Sequence, residues 1–65
     1  MTDKQQVENM TDRELVAAWN ISQAGRRMGN VHRAEGLFED ELKRRGIPHE
    51  VGKRTEYKVE AFQLV

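Results

Sequence analysis

The chain opens with a polar stretch, residues 1–9, in which Val7 is the one large apolar residue besides Met1, and this stretch is expected to be a flexible N-terminus. The pattern changes at Thr11-Asp12-Arg13-Glu14. A threonine followed three residues later by a glutamate is a capping box, in which each side chain satisfies the other residue's orphan backbone N–H. Met10 before the cap and Leu15 four residues into the helix have the spacing of a hydrophobic staple. Leu15, Ala18, Trp19 and Ser22 then recur at helical spacing, with Val16 and Gln23 at the shoulder of the stripe. Gly29-Asn30 breaks the run, so a helix is predicted over about 12–27.

Asn30 can cap a second helix, and Val31, Ala34, Phe38, Leu42 and Arg45 follow at 3.6-residue spacing, predicting a helix over about 31–45. Its end is marked by Gly46, suited to the left-handed position, by Ile47 placed to complete a Schellman motif with Leu42, and by Pro48. So short a connection makes the two helices an antiparallel hairpin. Beyond it, Thr55, Tyr57, Val59 and Ala61 alternate with Glu56, Lys58 and Glu60, the pattern of a half-buried strand over about 55–59. Val59, Phe62 and Val65 are also spaced by three, which suits a helix. The expected architecture is mainly α: a two-helix hairpin with a C-terminal extended segment, forming one small domain over 10–65.

Composition turns this fold into a question about partners. The chain has 65 residues, of which 37% are hydrophobic, and it has no cysteine. A core this small barely offsets the entropy of ordering the chain, and neither disulfides nor thiolate zinc sites are available to staple it. A homodimer, or docking onto a protein partner, is therefore expected. The apolar end of the chain suggests where: Tyr57, Val59, Phe62 and Leu64 are the candidate protein-contact residues. No apolar run is long enough to span a membrane and the polar start does not read as a signal peptide, so the expected location is cytoplasmic.

Eleven Lys and Arg balance eleven Asp and Glu, which argues against a general polyanion binder. The charges are nonetheless blocked along the chain. Arg26, Arg27 and Arg33 form one basic cluster, Glu35, Glu39, Asp40 and Glu41 an acidic one, and Lys43, Arg44 and Arg45 a second basic one. Much of this matches helix dipoles and i,i+4 pairing, as in Glu39–Lys43 and Glu41–Arg45. The alternative reading assigns the two basic clusters to phosphate or acidic-partner contact in a small nucleic-acid-binding regulator.

Catalysis has no grouping to rest on. The only serine, Ser22, sits mid-helix without a nearby histidine at helical spacing. His32 and Glu35 share a helix face, but metal sites in helical folds recruit further ligands from facing helices, and His49 is the only other histidine. The glycines around Arg26-Arg27 lack phosphate-loop spacing. No enzyme activity, cofactor or metal is expected. The sequence reads as a small accessory or regulatory protein that works by protein–protein interaction.

Overall fold

The computed structural model describes residues 2–56. Three helices follow in order, α1 (Asp3–Glu8), α2 (Asp12–Arg27) and α3 (Glu35–Arg45), and no strand occurs among the described residues. The protein is mainly α. Helix α2 occupies the range its caps predict. Thr11 N–H donates to Glu14 Oε1 at 2.8 Å, and Glu14 N–H donates to Thr11 Oγ1 at 3.1 Å.

The polar N-terminal stretch contains a helix that was not expected there. Thr2 and Gln5 form a second capping box, with Thr2 N–H donating to Gln5 Oε1 at 3.0 Å and Gln5 N–H donating to Thr2 Oγ1 at 3.2 Å. The resulting helix is only six residues long, and its single anchor, Val7, is buried. So short an element shows no apolar periodicity and depends on its cap and on tertiary contact.

Helix α3 begins at Glu35, four residues later than the apolar spacing predicts. The reason lies in how α2 ends. Asn30 N–H donates to Gly25 O at 2.8 Å and Gly29 N–H to Arg26 O at 3.0 Å, a Schellman pair with Gly29 at φ 88°. Asn30 thus closes α2 and does not open α3. The chain needs Val31 to Ala34 to turn, helped by Ala34 N–H donating to His32 Nδ1 at 3.0 Å. The far end of α3 has the anticipated form: Gly46 adopts φ 71°, Ile47 N–H donates to Leu42 O at 2.9 Å, and Ile47 packs against the core.

The core joins all three helices. Val7 comes from α1, Leu15, Val16 and Trp19 from α2, Ala34 from the connection, and Phe38 and Leu42 from α3. Trp19 and Phe38, the aromatic residues on the stripes of the two predicted helices, both belong to it. Ion pairs link the helix ends, Arg26 of α2 to Glu35 at the start of α3, and Arg45 at the end of α3 to Asp12 at the start of α2.

After α3 the described residues, up to Glu56, cross back over α2 without entering a strand. His49 sets its ring against Trp19, centroids 5.3 Å apart and nearly perpendicular. Thr55 and Glu56, the described part of the predicted 55–59 strand, have no ladder partner among the described residues; Tyr57 to Val59 lie outside them. What holds this segment is a set of side chains on α2. Asn20 donates from Nδ2 to Thr55 O at 2.8 Å and accepts Thr55 N–H on Oδ1 at 2.7 Å. Gln23 Oε1 accepts Gly52 N–H, while Arg27 Nη1 donates to Gly52 O at 2.9 Å. The pairing a strand would get from a neighbouring strand is supplied here by side-chain amides one helical turn apart.

Candidate functional site

The basic clusters singled out in the sequence are largely spent on the fold. Arg26 Nε lies 2.9 Å from Glu35, whose side chain is nearly buried. Arg33 faces Asp3 of α1 at 3.9 Å, and Lys43 faces Glu39 at 3.7 Å. Arg44 and Arg45 converge on one carboxylate, Glu41, which is only 5% exposed. Arg45 goes further: Nη1 donates to Asp12 at 2.9 Å and Nη2 to Glu8 O at 3.1 Å, so one guanidinium joins α1, α2 and α3.

These contacts set the protonation of the group at their centre. The hydrogen bond from Arg44, with further help from Arg45, outweighs the cost of burial and holds the Glu41 carboxyl down at about 2. Arg44 rises above its ordinary value chiefly through its hydrogen bond to Glu41. For Arg45, burial pulls the other way but Glu41 and Asp12 prevail. Glu14 is lowered too, mainly by the Thr11 backbone N–H it accepts.

His32 and Glu35, the pair at possible metal-ligand spacing, have different local tasks. His32 Nδ1 accepts Ala34 N–H while its ring lies 5.7 Å from that of Phe38, and both Glu35 oxygens accept from Arg26 Nε. His49 is across the core beside Trp19, with Nδ1 2.9 Å from Ile47 O. Ser22 is buried and donates to Trp19 O at 2.7 Å, a local helix contact. Among the described residues no three His, Asp or Glu side chains gather where they could hold a metal ion. No helix among them is long and apolar enough to cross a membrane.

The cations that have no carboxylate within ion-pair distance, among the described residues, are Lys4, Arg13, Arg27 and Arg54. Three of them border one surface, the flank of α2 along which residues 52–56 return. Arg13, Val16, Ala17, Asn20, Arg54, Thr55 and Glu56 line an open depression of about 470 Å³. A smaller one of about 220 Å³ adjoins it, sharing Asn20 and Arg54 and adding Ile21, Ala24 and Arg27. Together they form a groove between α2 and the returning C-terminal segment.

The face beside this groove is apolar and wet. Ile21 is 73% exposed and Met28 80%. With Ala17 and Ala24 they recur at four-, three- and four-residue steps, a seam opposite the Leu15–Trp19 core stripe and alternating small and large. Sequence reasoning had only one stripe of α2 in view and missed this second one, although its spacing is present in the residues. The proposed contact residues Tyr57, Val59, Phe62 and Leu64 lie outside the described residues, and Glu56, immediately before them, is on the rim of the groove.

No protein-family model matches the chain, and neither the curated proteins nor the solved structures yield a match.

Proposed function

We propose that the chain is a small non-enzymatic protein–protein interaction module, an accessory or regulatory protein of the cytoplasm that acts by binding a protein partner. Its frame is a helical hairpin of α2 and α3. The ion pairs Arg26–Glu35 and Arg45–Asp12, each joining the end of one helix to the start of the other, support that arrangement. The observation that carries the functional reading is the outer face of α2, where Ile21 and Met28 stand in water beside arginines that have no carboxylate partner among the described residues. Isolated exposed apolar residues are ordinary, but a periodic apolar seam along a helix marks an interaction surface. The apolar residues Tyr57, Val59, Phe62 and Leu64, which follow Glu56 in the sequence, are proposed to extend the contact, either to the partner or to a second copy in a homodimer.

The nucleic-acid reading is weaker on the same ground. It calls on Arg26, Arg27, Arg33, Lys43, Arg44 and Arg45, and all of these except Arg27 have carboxylate neighbours. A photo-crosslinking side chain placed at Ile21, with one at exposed Asp40 as the control, tests the proposal in cells of the source organism. The expected result is a discrete protein adduct from position 21 and none from 40. Adducts to nucleic acid, or equal yields from both positions, would reject the module as described.

A further inference from the structure

Resting on that reading, we infer that the outer groove of α2 receives an acidic amphipathic helix from the partner protein. The form of the ligand follows from the seam. Ala17, Ile21, Ala24 and Met28 repeat with the period of helix–helix packing, and the alanines between the larger side chains leave holes into which another helix can set its own knobs. Met28, the C-cap of α2, lies eleven positions after Ala17, about 16 Å along the axis, so the seam offers a partner about three turns of contact.

The chemistry of the ligand follows from the border. Arg13 and Arg27 are 14 residues apart on α2, about 21 Å, and Arg54 lines both depressions between them. Among the described residues the side chains of Arg13 and Arg54 have no hydrogen-bond or ion-pair partner, and that of Arg27 donates only to the carbonyl of Gly52, so its charge is not neutralised. Among the described residues Glu56 is the one carboxylate lining the groove. A helix with an aliphatic stripe flanked by Asp or Glu complements both the seam and the row of arginines.

A second copy fits this face less well, because it would bring a further set of arginines against the first. Glu14, beside the seam, already accepts its own capping N–H from Thr11. Nucleic acid fits less well too: phosphates would answer the arginines but leave Ile21 and Met28 without apolar cover, and among the described residues no aromatic side chain lines the groove for base stacking.

The test uses the full chain and synthetic helix-stapled peptides of about 16 residues, with leucines at four-three-four spacing flanked either by Glu or by Lys. A fluorescein-labelled oligonucleotide serves as the third probe. Binding is followed by fluorescence anisotropy. The Glu-flanked peptide is expected to bind at least about tenfold more tightly than the Lys-flanked one. Arg54→Glu and Arg27→Glu are each expected to weaken it by about tenfold, and Ile21→Ser by a similar factor. Ile21 is exposed and Arg54 is outside the helices, so the Arg54 variant keeps the test valid should either α2 variant fold poorly.

Equal binding of the two peptides would overturn the inference, as would tighter oligonucleotide binding that Ile21→Ser leaves unchanged. So would dissociation of a dimer by Ile21→Ser, which would assign the face to a second copy. A tenfold gain in peptide affinity on Phe62→Ser with Leu64→Ser would assign it to the chain's own terminal segment. A protein adduct at position 21 together with no preference for the acidic peptide would reject the acidic helix while leaving the interaction module standing.

Discussion

Glu41 offers the sharpest test of how this small fold is held together. Its carboxylate accepts Arg44 Nε at 3.0 Å and Arg45 Nε at 2.6 Å, and Arg45 in turn holds Asp12 and the carbonyl at the end of α1. The folded carboxyl titrates at about 2 against an ordinary 4.5. A group depressed in the folded state stabilises it above the unfolded value and loses that contribution as pH falls through the folded value. The window is therefore from pH 4.5 down to about 2. The full shift is equivalent to about 3 kcal/mol. Arg44, however, is 63% exposed and water screens its share, so about 2 kcal/mol is the expected effect.

Urea denaturation followed by fluorescence of the single, fully buried Trp19 measures this directly. Unfolding free energy should fall by about 2 kcal/mol between pH 6 and pH 2.5 on account of this group. Glu41→Gln should lose a similar amount at pH 6, because an amide cannot satisfy two guanidinium groups as a carboxylate does, and its acid limb should be correspondingly shallower. An acid limb of unchanged depth in Glu41→Gln would refute the argument and leave the network without energetic weight.

Other substitutions separate local causes. Gly25→Ala should destabilise the fold by about 1 kcal/mol despite alanine's better helix propensity, because the new Cβ would sit 2.9 Å from the carbonyl oxygen of Asn30. Gly36→Ala, where nothing stands within 4 Å, should stabilise by about 0.5–1 kcal/mol; thermal melts giving both changes the same sign would contradict the close approach at Gly25. Thr2→Ala removes the α1 cap and should speed amide exchange of that helix about fivefold while α2 and α3 keep theirs; equal exchange in the variant would deny the capping box its role. Asn20→Leu should release Thr55, seen as faster exchange of its amide, with unchanged protection pointing to some other anchor for the segment.

Much of the scaffold is legible in the chain because it is written in local chemistry. The Thr11–Glu14 box and the Gly29 stop delimit α2, and Gly46-Ile47-Pro48 delimits α3. The same local code was present at Thr2–Gln5, yet a six-residue helix with one buried side chain offers no periodicity to draw attention to it. The start of α3 was obscured for the opposite reason. Val31 continues the apolar spacing, but the N–H of Asn30 is committed to Gly25, a competition between two helix ends that spacing does not record. The return of residues 50–55 along α2 was not legible at all. It depends on amides brought together over about thirty positions of sequence, where Asn20, Gln23 and Arg27 read simply as polar residues at the edge of a helix.

The candidate site turns on the same distinction applied to charge. A count along the chain draws attention to runs such as Arg26-Arg27 and Lys43-Arg44-Arg45, because neighbours in sequence add up. Helix geometry then disperses each run and supplies carboxylates three or four residues away, or from a facing helix, to most of its members. Among the described residues folding leaves Arg13, Arg27 and Arg54 without a carboxylate partner, and these three, proposed to serve recognition, come from separate parts of the sequence. They share a surface only because the C-terminal segment is laid back along α2. The anchor of that segment and the proposed binding groove are consequently one structure: Asn20 holds Thr55 in place, and in doing so sets Arg54 between Arg13 and Arg27. Asn20→Leu should therefore weaken binding of the Glu-flanked peptide as well as release Thr55. Affinity that survives with Thr55 released would separate the groove from its anchor.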